Sequence, residues 1–187
     1  MTLFEYLATA SSLLYSIAAL RVLGGLPGAL APGKRYPLHL ALSFNLLLLI
    51  LLSFWTFWSL RDVEWTFRGF TLALFIPGLL YYCAAVLVPE NPERVASWRE
   101  HYFEMRRRWY AGFALWGLSA GVSASFNLGM PLDHRARSVH LAAILGGAAG
   151  MMFDKQRPHA VLVSLIAIVL ILGVLNVDLP ADWLANP

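Results

Sequence analysis

Hydrophobic residues fall into six long runs along the chain, separated by short segments rich in glycine, proline or charged residues. The runs cover residues 3–23, 38–60, 70–88, 109–128, 139–153 and 159–177. About 20 apolar residues let a helix cross the ~30 Å hydrocarbon layer of a bilayer, since each residue adds about 1.5 Å. Most runs reach this length; the fifth is short, and either its neighbours shield it or it begins nearer Arg135. An open strand cannot satisfy its backbone in lipid, so the pattern predicts a single all-α domain over residues 1–187 with six transmembrane helices.

Residues 91–110 carry the most charges in the chain, yet they also show a helical period. Asn91 is predicted to cap the helix, with Pro92 in its first turn. The apolar and aromatic side chains that share one face are Val95, Trp98, Tyr102, Met105 and Trp109. Charged side chains lie largely on the other faces. The segment is therefore predicted to be an amphipathic helix that lies on one membrane surface and leads into the fourth transmembrane helix.

This segment has two interpretations. As an anchor, its tryptophans insert among lipid headgroups while its arginines fix the orientation of the chain. As a docking surface, it binds a cytosolic or membrane protein partner, or anionic lipids. The candidate residues for partner or lipid binding are Val95, Trp98, Tyr102, Met105, Arg106, Arg107 and Arg108. The hypothesis that the sequence favours is a non-catalytic scaffold, sensor or accessory module that uses this helix.

Composition places the chain among membrane proteins. Of its 187 residues 59% are hydrophobic and 13% are charged, whereas soluble domains are roughly 45–50% apolar and about 25% charged. The net charge of +3 is spread over several loops, so nucleic-acid binding, which needs a concentrated basic face, is not expected. The single cysteine, Cys83, excludes an intramolecular disulfide and a cysteine cluster for a metal. The first residues include Glu5 and no basic side chain, so they are interpreted as a transmembrane helix rather than a cleaved signal peptide.

The distribution of lysine and arginine predicts the orientation in the membrane. Ten of these residues lie in or beside the first, third and fifth loops, and four lie in the second and fourth loops. The positive-inside rule therefore places the first, third and fifth loops in the cytoplasm and both termini outside it. Aromatic residues such as Trp55, Trp58 and Trp65 flank the second loop, as expected at the outer membrane surface.

Few ionisable residues fall inside the predicted transmembrane helices, although pumps, voltage sensors and charged pores need them there. No established catalytic or phosphate-binding motif occurs, so no enzyme activity, catalytic residue, metal or cofactor is predicted. Histidine leaves one alternative open, a membrane redox protein with haem held between helices, although no two histidines share a helix at ligand spacing in the membrane. His39, His101 and His159 are predicted on the cytoplasmic side, and His134 and His140 on the outer side.

Another alternative is a transporter or channel for a small neutral or lipophilic solute. Asn45 is expected to bond a neighbouring helix, and Pro77 to kink the third helix or act as a hinge. Small residues on the fourth and fifth helices are interpreted as surfaces that pack these helices within one bundle, with a dimer contact as the alternative. The candidate residues for a solute path or hinge are Asn45, Pro77, Gly117, Gly121, Gly146 and Gly150.

Three stretches carry a resemblance to a known group of proteins. They are LFEYL near the start, FWSLRDVEWTF after the second helix, and LVPENP followed by SWREHYFEMRR before the fourth. With them the chain resembles, over nearly its whole length, an uncharacterised family of small bacterial multi-pass inner-membrane proteins. The resemblance implies a location in the bacterial inner membrane, and it implies that the third-loop helix and the RDVEW loop belong to the common design of the family. It names no activity and no site residues.

Overall fold

The computed structural model describes residues 2–134 and 136–176. Within this part of the chain the regular structure is helical throughout, as the hydrophobic pattern predicts. The α-helices are α1 (Leu3–Ala29), α2 (Pro37–Thr56), α3 (Phe67–Leu87), α4 (Trp98–Leu128), α5 (Arg137–Met152) and α6 (Gln156–Asn176). Short 3-10 helices, Phe57–Leu60 and Pro92–Arg94, follow α2 and α3. The prediction of an all-α fold with six helices is confirmed for the described residues.

Among the described residues, four segments are long and apolar enough to cross a membrane: Leu3–Ala29, Pro37–Leu60, Phe67–Arg94 and Gln156–Leu175. The helix α5 is shorter, at 16 residues, and α4 mixes apolar residues with arginines, serines and glycines. These two helices pack against each other more extensively than any other pair. This packing covers one side of each helix, and large apolar side chains such as Leu118 of α4 and Leu145 of α5 stay exposed. Arg135 and Val177, which the sequence places at the edges of the fifth and sixth helices, lie outside the described residues.

The contacts between helices define their order around the bundle. Helix α1 contacts α2 and α3, α4 contacts α3 and α5, and α6 contacts mainly α2. In contrast, α5 and α6 contact each other sparsely. The order is therefore α6, α2, α1, α3, α4, α5, and a groove remains between the first and last helices of this series.

Contacts between loops define the two ends of the bundle. Lys34 in the first loop donates a hydrogen bond to the Glu93 carbonyl oxygen in the third loop, at 3.2 Å. Arg106, early in α4, forms an ion pair with Asp154 in the fifth loop. We call the end formed by residues 30–36, 88–97 and 153–155 the basic end. The opposite end is formed by residues 57–66 and 129–134.

Helix α1 continues past its predicted end at residue 23 and runs to Ala29. The sequence places a loop at Gly25 and Gly28, but both residues lie in the helix where the third loop comes close. An added Cβ at Gly25 would lie 2.5 Å from a methyl group of Val88, and one at Gly28 would lie 2.8 Å from the Pro92 carbonyl oxygen. These glycines therefore allow α1 to pack against the third loop and do not end the helix.

The third loop and α4 also differ from the prediction. Asn91 precedes only the short helix Pro92–Arg94, and its side chain makes no capping bond. Helix α4 begins after Ser97, whose hydroxyl accepts a hydrogen bond from the Glu100 N–H at 3.3 Å. It then runs without a break to Leu128. The predicted start at Asn91 is therefore wrong, and the amphipathic helix is not distinct from the fourth helix, because its charged segment is the first part of α4.

Glycines bring α4 and α5 close together. An added Cβ at Gly117 would lie 2.6 Å from the Cβ of Ala143, and one at Gly147 would lie 2.6 Å from the nearest side chain of α4. The prediction that small residues pack these helices within one bundle is confirmed. The surface on α5 differs from the predicted one, because Gly147 rather than Gly146 faces α4. The nearest neighbour of Gly146 is Leu162 of α6, at 3.5 Å from an added Cβ.

Asn45 joins α2 to α6, as expected, because its amide nitrogen donates to the buried Val163 carbonyl oxygen at 2.9 Å. Replacing Asn45 with leucine removes this bond and largely keeps the side-chain size. We expect the free energy of unfolding, measured by SDS titration in detergent, to fall by about 0.6–1.7 kcal/mol. Phe44→Leu, at an exposed position of the same helix, is the control and should change it by less than about 0.5 kcal/mol. Equal stability of the two variants would show that the bond contributes nothing.

Candidate functional site

The apolar face that the sequence singles out in residues 91–110 lies inside the bundle. Trp98, Tyr102 and Met105 are at most 1% exposed, and Val95 is half-buried. The indole N–H of Trp98 donates to the Gly28 carbonyl oxygen at 3.0 Å. In this structure these side chains belong to the main hydrophobic core. They do not form the exposed surface that the docking hypothesis requires.

The three arginines of the same segment have different surroundings. Arg106 is partly buried, pairs with Asp154 and donates from Nε to the Phe153 carbonyl oxygen at 3.1 Å. Arg107 and Arg108 are exposed. Exposed cationic side chains at one end of a helical bundle suit anionic lipid headgroups. Lipid binding at the basic end stays a prediction, and Arg107 and Arg108 are the arginines of this segment that are exposed.

Three buried polar side chains form a hydrogen-bonded cluster near the basic end. The Tyr102 hydroxyl lies 3.1 Å from Nδ1 of His159 and 3.2 Å from the Tyr110 hydroxyl. Nε2 of His159 lies 3.0 Å from the Phe153 carbonyl oxygen. A carbonyl can only accept, so in the neutral ring Nε2 carries the proton and Nδ1 accepts from a tyrosine hydroxyl. Each side chain of the cluster has a partner within the protein, so the cluster ties α6 to α4.

The other histidines near the basic end pack against an aromatic ring. The His39 ring lies 4.3 Å from the Trp98 ring and 6.0 Å from the His101 ring. Nε2 of His101 lies 3.0 Å from the Leu87 carbonyl oxygen. No group of three or more histidine, cysteine, aspartate or glutamate residues is placed to hold a metal ion within residues 2–134 and 136–176. The haem hypothesis stays a prediction from the sequence.

The residues predicted for a solute path or hinge mostly hold helices together. Pro77 is buried in α3, and the helix continues unbroken on both sides of it. Asn45 makes the bond between helices described above. The glycines that lie close to a neighbouring helix are Gly117, Gly121 and Gly150. Gly146 is different, because it lines the groove between α5 and α6.

A cavity lies in the half of the bundle next to the opposite end. Its volume is about 480 Å³, within the range of about 300–1,000 Å³ that is typical of small-molecule sites. Its walls come from the last turns of α2 and the following 3-10 helix, the second half of α4, the start of α5 and the last turns of α6, together with Tyr15 of α1 and Ala73 and Ile76 of α3. Most of the wall is apolar, with residues such as Leu49, Ile76 and Val169.

Most of the polar residues that line this cavity carry hydroxyl groups. The residues that carry them are Tyr15, Ser53, Thr56, Ser59, Ser123 and Ser138. Most of these residues are near the opposite end of the bundle. No aspartate, glutamate, lysine or arginine occurs among the described residues that line the cavity. The wall therefore suits a neutral molecule, because an ion would lose its hydration there without gaining an opposite charge.

Arg137 is buried, and its neighbours in the sequence line the cavity. Hydrogen-bond acceptors at the end of α4 hold its side chain. The Arg137 guanidinium donates to the carbonyl oxygens of Gly121, Met130 and Pro131. It also donates to the Ser125 hydroxyl at 2.6 Å. These acceptors lie in the last turns of α4 and just beyond its end, where a positive charge is favourable. Arg137 thus stabilises the connection between α4 and α5, and its charge is balanced there.

Two ring nitrogens on residues that line the cavity have no hydrogen-bond partner in the described part of the chain. They are Nε1 of Trp116 and Nδ1 of His140. Buried polar atoms without a partner are uncommon in folded proteins. A ligand with a hydrogen-bonding group would supply a partner that the described residues do not.

The polar residues of the cavity follow no periodic pattern or motif in the sequence. They are spread over four α-helices and one 3-10 helix, so only the packed bundle brings them together. Comparison of this chain with protein-family models, curated proteins and solved structures finds no match. The cavity is therefore the feature of the described residues whose chemistry points most clearly to a ligand.

Proposed function

We propose that this protein is a multi-pass membrane protein that binds a small, neutral, mostly apolar molecule in the cavity near the opposite end. The observation that supports this most directly is the cavity of about 480 Å³, with hydroxyl groups in an apolar wall and no formal charge among the described lining residues. Small-molecule sites are usually built in this way, mostly apolar with a few placed polar groups. Such binding is the first step of either transport or sensing.

The membrane setting that we propose has all six helices crossing the bacterial inner membrane, with the basic end in the cytoplasm and both termini outside. Four segments support it by their length and hydropathy, and extensive packing between α4 and α5 supports the inclusion of these two helices. The concentration of lysine and arginine in the loops of the basic end supports the orientation. In this setting the cavity lies in the outer half of the bilayer.

Docking of a protein partner through residues 91–110 becomes the weaker proposal. Its apolar side chains are buried, so a partner would meet mainly charged groups such as Arg107 and Arg108. We assign to these two arginines the binding of anionic lipid headgroups at the cytoplasmic surface. Ligand binding in the cavity requires no catalytic residue, and none is proposed.

Filling the cavity is expected to remove the bound molecule. Ala120 of α4 lines the cavity, so phenylalanine at this position would occupy part of its volume. Native mass spectrometry of the full-length protein, extracted gently from its own membrane, should show a reproducible small-molecule mass on the wild type. In the Ala120→Phe protein we expect the occupancy of this mass to fall about tenfold, because the added ring competes for the same space.

Ala111→Phe is the matched control for this experiment. Ala111 is exposed on the same helix and does not line the cavity, so the variant should carry as much small molecule as the wild type. If no small-molecule mass accompanies the wild type, or if the two variants carry equal amounts, the cavity is not a binding site and the proposed function fails. An additional protein subunit in place of a small molecule would return support to the docking hypothesis.

A further inference from the structure

The groove between α5 and α6 opens on the side of the bundle. Its volume is about 370 Å³ and its lining is almost wholly apolar. The lining residues from these two helices include Leu145, Gly146, Ala149, Leu162, Leu165 and Ile166. Leu145 and Leu165 are 68% and 53% exposed, and in a membrane such apolar side chains face lipid tails. The groove is therefore open to the hydrocarbon layer of the bilayer.

The groove and the cavity adjoin each other. The residues that line both are Leu49, Trp116, Val139, Val169 and Leu170. The apolar groove thus adjoins a cavity whose hydroxyl-bearing residues are mostly near the opposite end of the bundle, which would lie near the membrane surface. An apolar region deeper in the bilayer and a polar region nearer its surface match the two parts of a lipid molecule.

The polar part of the cavity favours a head group that both donates and accepts hydrogen bonds. Nε1 of Trp116 can only donate, whereas the hydroxyls of Ser53 and Ser123 can donate or accept. A hydroxyl head group can accept a hydrogen bond from the indole and exchange hydrogen bonds with the serines, since it offers one donor and two acceptor positions. A phosphate or carboxylate would instead bring a charge into a wall whose described residues carry no opposite charge.

We propose that the bound molecule is a lipid with an uncharged hydroxyl head and a long hydrocarbon tail, and that it reaches the cavity sideways from the bilayer between α5 and α6. This inference rests on the proposed function and adds to it the class of the molecule and its route. The tail lies in the groove and the head lies among the cavity hydroxyls. A water-soluble solute would gain nothing from contact with the apolar groove.

Photolabelling tests the class of the molecule. Full-length protein in phosphatidylcholine vesicles is labelled with a 1-hexadecanol analogue that carries a diazirine near the end of its tail. We expect the label on residues 139–170, and we expect excess 1-hexadecanol to lower it about tenfold, with hexadecyl sulfate or hexadecane lowering it less than about twofold. Equal competition by the sulfate would overturn the assignment of a neutral head. Equal competition by hexadecane would overturn recognition of any head group.

A substitution in the groove tests the route. The space beside Gly146 leads to Leu162, which lies 3.5 Å from an added Cβ, so Gly146→Phe would fill the groove and leave the cavity open. We expect labelling of this variant to fall about tenfold. Ala148→Phe is the control, because Ala148 is exposed on the same helix and does not line the groove; it should be labelled like the wild type. Equal labelling of the two variants would overturn the route between α5 and α6.

The lipid assignment and the proposed function fail in different ways. A wild type without label, together with a native mass that is lost in Ala120→Phe but kept in Ala111→Phe, overturns the lipid assignment and leaves ligand binding in the cavity intact. Equal native masses on these two variants overturn the proposed function and the lipid assignment together.

Discussion

The Gly147→Ala protein is expected to be about 1–3 kcal/mol less stable than the wild type, whereas Gly146→Ala should be as stable or slightly more stable. An added Cβ at Gly147 would lie 2.6 Å from the Cβ of Ala114 and 2.7 Å from the Tyr110 carbonyl oxygen. Neither atom can move without its backbone, so α4 and α5 would have to separate. At Gly146 the added methyl group would meet one flexible methyl group of Leu162 at 3.5 Å, an ordinary contact distance.

Because the two glycines are adjacent in one helix, each variant is the control for the other. Alanine favours a helix over glycine by about 0.8–1 kcal/mol, so helix propensity alone predicts the same gain at both positions. SDS titration of the two purified variants in detergent measures the difference in their free energies of unfolding. Equal values would show that α4 and α5 do not approach as closely as the structure places them.

Much of the helical framework could be predicted from the sequence, because long apolar runs in a bilayer have few alternatives to a helix. The predicted run 70–88 and the observed helix Phe67–Leu87 differ by only a few residues at each end. The end of α1 was harder to predict. A glycine that ends a helix and a glycine that admits a neighbouring segment, such as Gly25 or Gly28, look the same in a sequence.

The surroundings of the amphipathic segment could not be predicted from its periodicity. The period correctly groups Trp98, Tyr102 and Met105 on one face, and all three are buried together. Periodicity shows that a face is apolar but does not show what covers it. Membrane interfaces and protein cores both accept large aromatic side chains. The residues that cover this face, such as Gly28 and His39, lie far away in the chain.

The cavity could not be predicted for a related reason. Its hydroxyl residues are separated widely along the chain, and single serines and threonines commonly bond the backbone of their own helix. Thr56 and Ser59 do so, since each donates to a carbonyl oxygen three residues earlier. Nothing in the local sequence therefore distinguishes a hydroxyl that lines a cavity from one that contacts only its own helix. The packing of α2, α4 and α5 makes that distinction.

Replacing Trp98 with alanine is expected to lower the free energy of unfolding by about 3–5 kcal/mol, the usual loss for a large buried aromatic side chain. The Trp98 side chain is 1% exposed, and its N–H donates to the Gly28 carbonyl oxygen at 3.0 Å. Its ring also packs on that of His39 at 4.3 Å. The substitution therefore leaves a void where α1, α2 and α4 meet. Thermal unfolding and SDS titration in detergent would both measure the loss.

This outcome separates a core residue from a docking residue. A docking side chain on the surface would change stability by less than about 0.5 kcal/mol and would affect only the binding of a partner or lipid. Arg107→Ala and Arg108→Ala are the matched controls, because both side chains are exposed in the same helix; they should keep the stability and weaken binding to anionic vesicles. A stable Trp98→Ala protein that loses a partner would restore the docking hypothesis, since only an exposed Trp98 gives that combination.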